Sequence, residues 1–472
     1  MAAAAGMNAL VPTFLGAVVA PAVLGAGVVF ACGLAPRQGW RVFAAWAYLV
    51  GHFAQAWLTA GWLAAGQPVP GWTLPLVGAA AGVLCWRRAV VRGRSRGEVP
   101  RRRDVPGDPW QRLTVVALAV VLLERCAAQS LQPIVTSDEA NIWSAKAWVL
   151  FAGGDLGSWF AANYVQHADY PMLDPLAQVL AFASSGRALW WENRLPLQGF
   201  GFALLLLLSA ALERRLPRGL AIAVLVAFTS TTFVHFAPTV YADVLLAGAL
   251  LAMVDAVARW RDGGSPVWWR LACFAMAALL ATKNEGAMLA VAALLAALVV
   301  CIGTGVSAWP KPGAAWAWLL VPLATVAAGQ GFNAAYGLSN DLTVAADGSG
   351  LFARILAHGG ERIGPVLAHY ASLIVDGAVS GWLVLAMLLA PLAVRRGAPR
   401  ANWWWPWLVV ATALVGYVLV FLGTTADAGG VDGAARGLLW HLATAADRTL
   451  LHLLPTAALA LATCLASARP RN

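Results

Sequence analysis

Apolar runs recur along the whole chain at intervals that match membrane helices. Each run holds about 20 residues, which is enough to cross a hydrocarbon core about 30 Å thick. Short polar stretches separate the runs and hold most of the charged residues. The pattern predicts an all-α polytopic membrane protein with about 13 transmembrane helices. The predicted spans are roughly 9–34, 41–66, 71–86, 111–131, 196–212, 219–236, 240–258, 269–282, 286–303, 315–332, 377–394, 403–422 and 449–467.

Composition excludes a soluble globular protein. Of the 472 residues, 60% are hydrophobic and 11% are charged, whereas a soluble domain carries about 25% charged residues. A single soluble core also stops growing beyond about 250–300 residues. The six cysteines are scattered and lie mostly in apolar runs, which indicates small buried residues and not a disulfide framework. We expect no cleavable signal peptide, because the first apolar run lacks a basic leading segment.

The basic residues predict the topology. The densest basic stretch, Arg87–Arg112, is cytoplasmic by the positive-inside rule. Counting spans outward from it places the N-terminus outside, the C-terminus inside and most of the 32 basic residues inside. The Ala-, Arg- and Trp-rich composition is typical of a GC-rich bacterial genome. We therefore expect a multi-pass protein of the bacterial cytoplasmic (inner) membrane, with any chemistry facing the periplasm or exterior.

Three predicted outer segments are too long to be simple turns. They run from Gln132 to Pro196, from Asn333 to about Asp376, and from Gly423 to Arg448. Long segments in compact proteins are usually functional or disordered, and the aromatic content of the first argues against disorder. The first segment contains two helix-like pieces, Glu139–Phe151 and Asp174–Ala183. We predict that these pieces lie in the membrane interface.

The first outer segment carries two acidic clusters that one loop can bring together. Asp138 and Glu139 follow the fourth span, and Asp169 and Asp174 come later in the segment. A carboxylate close to lipid is costly unless it is solvated or paired. It can act as a general base on a sugar hydroxyl or help to hold a cation. The alternative is helix capping, because Ser137 and Asp138 precede a helical pattern.

These residues resemble those of a membrane enzyme superfamily. An Asp shortly after a span, a helix-forming loop and then Asp169-Tyr170-Pro171 with a second proline resemble the GT-C glycosyltransferases. More narrowly, they resemble the branch that contains the protein mannosyltransferases and the aminoarabinose transferases of lipid A. The resemblance is best over about Gln111 to Leu289. It implies a GT-C-like core, a polyprenyl-phosphate-linked sugar donor, transfer at the outer face and inversion at the anomeric carbon. It also implies no Rossmann nucleotide site, and the chain holds no convincing dinucleotide or P-loop motif.

The resemblance assigns roles in the acidic clusters. Asp138 matches the family's first-loop catalytic Asp, and Asp169 matches its second acidic position. The family often has a basic residue directly after that acid, whereas Tyr170 stands here. This departure leaves one donor phosphate contact unfilled, which Lys146 or His167 could replace.

A short turn provides a second match. The sequence Thr282-Lys283-Asn284-Glu285 lies between the eighth and ninth spans, where family members often carry a lysine that faces the donor phosphate. A phosphate leaving group needs positive charge where its own charge develops. The alternative is that Lys283 and Glu285 solvate the turn or pair with each other.

Two further residues are weaker candidates. Asp243 begins the seventh span, where it could lie beside the acceptor or only favour a helix N-terminus. Arg448 lies at the start of the last span, where it could bind a phosphate bidentately, snorkel or pair with Asp447. Four residues of the later outer segments receive no assignment: His358, Arg362, His369 and Arg436.

The predicted mechanism combines these residues. Lys283, Arg448 and Lys146 hold the donor phosphate, and Asp138 takes the proton of the acceptor hydroxyl. Asp169 orients Asp138, holds the acceptor or binds a divalent ion, although no metal or other cofactor is expected to be obligatory. Residues predicted to contact the acceptor or the sugar are Glu139, Tyr170, His167, Asp243 and Glu285. The expected partners are membrane lipid, the lipid-linked donor and a glycan, lipid or protein acceptor, with no nucleic acid.

The chain divides into three predicted parts. Residues 1–110 form a three-span module whose basic cytoplasmic loop meets anionic lipid headgroups. Residues 111–332 form the GT-C-like core, with outer segment 132–196, and residues 333–472 add the C-terminal spans and outer segments.

Three other functions stay open at this stage. A lipid-linked sugar flippase or transporter needs ionisable residues near mid-membrane, whereas the charges here gather at one face. An O-antigen ligase or polymerase relies on a large late loop with Arg and His, and the later outer segments hold some of both. A scaffold without catalysis leaves the acidic clusters and the Lys283 turn unexplained.

Overall fold

The computed structural model describes most of the chain in helical form. The described residues are 9–95, 108–134, 138–162, 164–189, 191–263, 265–304, 313, 315–340, 348–375, 381–394, 400–424 and 433–468. Every regular element within them is a helix. The all-α class predicted from the apolar runs is therefore confirmed for this part of the chain.

The α-helices fall where the apolar runs predicted them, with several additions in the outer segments. In chain order they are α1 (Ala20–Ala31), α2 (Trp40–Ala64), α3 (Thr73–Ser95), α4 (Pro109–Ser130), α5 (Ala145–Ala152), α6 (Leu156–Ala161), α7 (Leu173–Ser185), α8 (Leu195–Glu213), α9 (Arg218–Thr229), α10 (Phe233–Phe236), α11 (Asp243–Gly263), α12 (Pro266–Thr282), α13 (Asn284–Thr304), α14 (Leu320–Ala335), α15 (Leu351–Val375), α16 (Trp382–Leu389), α17 (Arg400–Leu422) and α18 (Gly433–Ser467). Short π-helical or 3₁₀ turns cover Leu15–Val19, Pro36–Gln38, Glu139–Ser144, Glu192–Arg194, Trp316–Leu319 and Ala390–Ala393.

Seven helical stretches are long and apolar enough to cross a membrane by length and composition: Ala9–Ala31, Thr73–Arg92, Pro109–Ser130, Glu192–Glu213, Asn284–Thr304, Trp403–Leu422 and Gly437–Ser467. Shorter apolar helices occupy Arg218–Thr229, Pro266–Thr282 and Trp382–Ala393. Because lipid offers no hydrogen-bond partners, such runs must satisfy their backbone groups within the helix. The chain is a helical multi-pass membrane protein, and the count of about 13 crossings stays a prediction.

The two ends of the helix bundle differ in their charged contacts. At one end, Arg218 Nη1 lies 3.4 Å from Asp108 Oδ2 and links the starts of α9 and α4. Near the same end, Arg215 Nη2 lies 3.0 Å from Asp255 Oδ1 and links α8 to α11. The opposite end of α11 begins at Asp243. These contacts link helix ends that the predicted topology places on the same side, and the topology itself stays a prediction.

The first three long helices pack closely on one another and on the rest of the protein. An added Cβ at Gly27 would lie 1.9 Å from the carbonyl oxygen of Gly82, so these backbones touch where only glycine fits. Tyr48 on α2 donates a hydrogen bond of 2.7 Å to the carbonyl of Pro196 at the start of α8. The N-terminal helices therefore support the same helix end that carries the first outer segment.

Two predicted outer segments contain more helix than the sequence indicated. The segment Asn333–Asp376 was predicted as a loop, but α15 occupies its second half. The segment Gly423–Arg448 includes the first turns of α18, so Arg448 lies inside a long helix and not at its start. Charged residues break both stretches into short apolar pieces, so a search for uninterrupted apolar runs misses them.

The two helix-like pieces of the first outer segment are helical and pack into the protein. The helix α7 is buried along nearly its whole length, and it packs against α2, α5 and α8. On α5, Lys146, Ala147, Val149 and Leu150 are buried as well. Protein therefore covers α7 and one face of α5, and their predicted position in the membrane interface stays a prediction.

Candidate functional site

An ion pair links the first outer segment to the last long helix. Asp138 Oδ2 lies 2.6 Å from Arg448 Nη1, although the two residues are 310 positions apart in sequence. The side chain of Asp138 makes no capping hydrogen bond to the π-helical turn that follows it. The side chains of Arg448 and Asp138 are 16% and 28% exposed. The side chain of Asp138 therefore does not cap the helix that follows it. The side chain of Arg448 pairs with Asp138 and not with Asp447, and this contact is partly exposed.

The turn between α12 and α13 places a lysine between two carboxylates. Lys283 has an extended backbone, which ends α12, and its side chain is buried. Its Nζ atom lies 2.8 Å from Glu285 Oε1 and 3.2 Å from Asp243 Oδ1. The pairing of Lys283 with Glu285 that the sequence left open is present. Asp243 joins it because α11 begins beside this turn, and buried charges need such partners.

A histidine and a tyrosine extend this network. His452 lies one turn after Arg448 on α18, and its Nε2 atom is 2.6 Å from Asp243 Oδ1. The other ring nitrogen, Nδ1, is 2.5 Å from the hydroxyl of Tyr417 on α17. Sequence reasoning gave neither His452 nor Tyr417 a role. The spacing of four residues from Arg448, which puts both side chains on one helix face, is a signal that could have found His452.

The second acidic cluster reaches the same turn through an amide. Asn284, directly after Lys283, donates a hydrogen bond of 2.6 Å from Nδ2 to Asp169 Oδ2. Asn333 at the end of α14 donates to the main-chain carbonyl of Asp169 at 3.2 Å. Asp169 is buried. The fold thus brings the predicted residues Asp138, Asp169 and Lys283 to one end of the bundle, with Asn284 as a contact that the sequence did not indicate.

Lys146 lies in this region but is completely buried. Its ammonium group donates to the main-chain carbonyls of Ala168, at 2.7 Å, and Tyr170. The Phe332 ring centroid lies 5.6 Å away. Burial lowers the pKa of Lys146 to about 7, and the nearby charge of Asp169 opposes that shift. These contacts tie the segment around Asp169 to α5, so they favour a structural role over the predicted phosphate contact.

Glu139 is also committed to the protein interior. Arg194 Nη2 lies 3.1 Å from its Oε2 atom, and both side chains are almost completely buried. The main-chain N–H of Val240 donates to Glu139 Oε1 at 2.9 Å. Arg194 donates further to the carbonyl of Gln132, at 2.5 Å, just past the end of α4. The predicted contact of Glu139 with an acceptor is therefore replaced by a clamp between two helix ends.

An aromatic pair borders the acidic cluster on its exposed side. The rings of His167 and Tyr170 are stacked with centroids 4.9 Å apart. Trp143 lies behind Tyr170, at 5.5 Å between centroids. His167 is exposed and has a φ of 50°, a left-handed conformation that non-glycine residues seldom adopt. The predicted roles of His167 and Tyr170 in binding a sugar or acceptor stay predictions.

Several polar atoms of the site lack protein partners within the described part of the chain. They are Asp243 Oδ2, Glu285 Oε2 and Arg448 Nε, all buried. Buried polar atoms without a partner are rare in proteins and often mark where a ligand or water binds. Over the same residues, no group of three His, Cys, Asp or Glu side chains is placed to hold a metal ion.

The comparisons with known proteins do not add a family to this geometry. Neither the protein-family models, nor the curated proteins, nor the solved structures contain a match to the chain.

Proposed function

We propose that this protein is a membrane glycosyltransferase that moves a sugar from a polyprenyl-phosphate-linked donor to an acceptor hydroxyl, with inversion. The observation that carries the proposal is the contact of Asp138 with Arg448 beside the Lys283 turn. It unites a candidate general base with two cations at one end of a bundle of membrane helices. The remaining expectations belong to the same proposal, namely a bacterial cytoplasmic membrane, an active site on the outer face and a GT-C-like core.

The two cations suit the leaving group of this reaction. A phosphate that leaves with the electron pair of the broken C–O bond gains negative charge, which nearby cations and N–H donors stabilise. Arg448 has a buried Nε atom without a partner in the described residues, and a guanidinium can hold phosphate through two nitrogens. Lys283 supplies a compact second charge. Together, Arg448 and Lys283 would hold the donor phosphate.

The Asp138–Arg448 pair suggests how donor binding prepares the base. While Asp138 accepts from Arg448, its carboxylate is occupied by the guanidinium and is not free to contact the acceptor hydroxyl. A donor phosphate competes for Arg448 and releases Asp138. The freed carboxylate then takes the proton of the acceptor hydroxyl, as the acceptor oxygen bonds to the anomeric carbon and the phosphate departs.

Asp169 and the aromatic pair are assigned to the acceptor side. Asp169 is held by Asn284, so it is fixed relative to Lys283 and can orient the acceptor hydroxyl or Asp138. The stacked rings of His167 and Tyr170 lie within three residues of Asp169 and are partly accessible. A flat aromatic surface beside a carboxylate is a suitable place for a sugar ring.

Two arginines weigh against the alternative of an O-antigen ligase or polymerase. Such an enzyme relies on a large late loop whose Arg and His residues are open to substrate. Arg354 donates to the carbonyl of Gly423 at 2.6 Å, and Arg362 donates to the carbonyls of Leu422 and Thr424 at 3.1 and 2.8 Å. Both side chains are buried and cap the end of α17, which is a structural use.

A lipid-linked sugar transporter is a second candidate, favoured by one observation. Asp243 and His452 are fully buried and hydrogen-bonded to each other within long helices. Ionisable residues of this kind form proton relays in many transporters. Release of polyprenyl phosphate from the donor by purified protein separates transfer from transport.

The test is turnover of a panel of radiolabelled polyprenyl-phosphate sugars by purified protein, with Asp138→Asn beside it. We expect wild-type protein to release polyprenyl phosphate and the variant to do so about 10²–10⁴-fold more slowly. Asp155→Asn is the matched control, because Asp155 lies in the same outer segment and only caps α6. Full activity of Asp138→Asn would remove the general base. Absence of turnover in folded wild-type protein that moves the labelled lipid between leaflets would favour the transporter.

A further inference from the structure

A chain of buried polar groups leads from α17 to the Lys283 turn. The Tyr417 hydroxyl contacts His452 Nδ1 at 2.5 Å, and His452 Nε2 contacts Asp243 Oδ1 at 2.6 Å. The same oxygen of Asp243 lies 3.2 Å from Lys283 Nζ. Three of the four residues, namely Tyr417, His452 and Asp243, are fully buried, and Lys283 is nearly so. Four separate parts of the sequence therefore meet in one continuous hydrogen-bonded path.

We propose that His452, held by Tyr417, is a positioning residue that fixes Asp243 and through it the ammonium group of Lys283. The proposal rests on the proposed function, in which Lys283 binds the donor phosphate. It adds two residues that do not touch the substrate but set the position of one that does.

The hydrogen-bond partners select one form of the imidazole. Asp243 can only accept, so His452 donates to it from Nε2. The remaining nitrogen, Nδ1, is then an acceptor in the neutral ring and receives the O–H of Tyr417. Each ring nitrogen has a partner of the right kind, so the ring is held in one tautomer and one orientation.

Asp243 depends on this ring for its own orientation. Its Oδ1 atom accepts hydrogen bonds from both His452 and Lys283, while Oδ2 is buried without a partner in the described residues. If His452 is lost, the carboxylate is free to rotate and to pair more fully with Lys283, since an unpaired buried charge is costly. The ammonium group would then turn away from a ligand.

Lys283 keeps one donor for a ligand in the observed arrangement. An ammonium group has three N–H donors. Two of them are directed at Asp243 and Glu285, at 3.2 and 2.8 Å. Among the described residues no partner takes the third, which can donate to a phosphate oxygen as long as Asp243 holds its position.

Packing alone does not account for the path. Apolar side chains of similar size would fill the same space without the desolvation of ionisable groups, and such replacements are often neutral or stabilising. A polar network that is nearly fully satisfied specifies one geometry, which is what a phosphate-binding lysine requires.

The binding test uses Tyr417→Phe and undecaprenyl phosphate as the probe. The substitution removes one hydroxyl and leaves the ring, and we expect the Kd to rise about fivefold. Tyr370→Phe is the matched control. It removes the hydroxyl of another buried tyrosine, 2.7 Å from Thr449 Oγ1 on the same helix as His452, that has no contact with Asp243 among the described residues. Equal effects of the two variants would show that the loss is a general packing effect and would overturn the proposal.

The histidine is tested with a rescue pair and a double variant. His452→Leu cannot donate to Asp243, and we expect it to weaken binding about tenfold or more. His452→Gln restores a donor and should recover part of that loss. In a Lys283→Met background, His452→Leu should add no further loss, because it acts through Lys283. Additive effects of the two substitutions would contradict this.

A measurement without substrate separates this proposal from the proposed function. The chain has three lysines, Lys146, Lys283 and Lys311, so ¹³C labelling at the lysine Cε gives few signals. We expect the Lys283 signal to shift in Tyr417→Phe and His452→Gln but not in Tyr370→Phe. Failure of wild-type protein to bind any lipid phosphate, with these shifts present, would refute the glycosyltransferase and leave the positioning intact. An unshifted Lys283 signal in both variants would refute the positioning itself.

Discussion

Two neighbouring carboxylates, Asp138 and Glu139, form ion pairs with arginines that differ in almost every other respect. The Glu139–Arg194 pair is closed: both side chains are almost completely buried, and Arg194 donates from Nε, Nη1 and Nη2. The Asp138–Arg448 pair is partly exposed, and Arg448 Nε has no partner in the described residues. Two carboxylate–arginine pairs at adjacent positions therefore differ in use. The Glu139–Arg194 pair is a structural clamp, whereas the Asp138–Arg448 pair keeps a nitrogen that could bind a ligand.

The largest expected difference between the two pairs is the loss of stability when Arg194 or Arg448 is replaced. Arg194→Met leaves Glu139 buried without the positive charge of Arg194 beside it, which should cost about 3–5 kcal/mol of unfolding free energy. Arg448→Met exposes Asp138 to water, so its cost should stay within about 1 kcal/mol. Thermal unfolding in detergent, followed by circular dichroism, measures both. Equal destabilisation by the two variants would mean that the Asp138–Arg448 pair is a structural clamp as well.

The next effect concerns competition for Arg448. Because Asp138 and a phosphate would share that guanidinium, Asp138→Asn should bind undecaprenyl phosphate about tenfold more tightly while losing transfer. Isothermal titration on the purified variant gives the Kd. Asp155→Asn should leave the Kd unchanged. Weaker binding in Asp138→Asn would argue against the release of Asp138 by the donor.

A smaller effect on stability is expected from Lys146, a buried basic residue of the first outer segment. Burial lowers the pKa of Lys146 from 10.5 to about 7, so between these values the unfolded chain binds more protons than the folded one. The free energy of unfolding should therefore rise with pH from about 7 to 10. Lys146→Met should flatten this rise, as measured by melting temperature across that range. Parallel curves for the variant and the wild type would show that Lys146 is not neutralised in the folded protein.

The smallest expected effect lies at the exposed edge of the open site. His167→Gly relieves a left-handed backbone but adds flexibility to the unfolded chain, so stability should change by less than about 1 kcal/mol. Under the proposed function, the loss of the ring that stacks on Tyr170 should raise the KM for the acceptor and leave donor binding unchanged. A loss of donor affinity instead would move His167 to the donor side of the site.

Much of the helical architecture could be predicted, whereas the amphipathic parts could not. Apolar runs located most of the long helices within a few residues, because a helix in lipid must be largely apolar, although α3 ends later, at Ser95, and α18 begins earlier, at Gly433. The helix α15 was missed, since Arg354 and Arg362 interrupt its apolar face and are hidden only by contacts with the end of α17. The helix α7 was found, but its sequence does not reveal that protein covers nearly all of its surface.

The sequence identified most residues of the site, but it did not separate those with structural roles from those open to a ligand. Asp138, Asp169, Lys283, Asp243 and Arg448 were all singled out, since charged residues at the ends of apolar runs are conspicuous. Glu139 and Lys146 looked equally suitable and proved to be enclosed by Arg194 and by main-chain carbonyls. The sequence analysis missed His452 and Tyr417, because each lies within an apolar stretch of its helix.

The sequence by itself determined that the chain is a bundle of membrane helices with its acidic residues and Lys283 gathered at helix ends. The reason is local: hydrogen bonding within each apolar run and the cost of charge in lipid act on neighbouring residues. Only the tertiary structure decided that Arg448 meets Asp138, 310 positions away, while Glu139 turns to Arg194. Which arginine pairs with which carboxylate depends on how distant helices pack. Two adjacent residues on a helical turn point in different directions, so their side chains meet different surroundings.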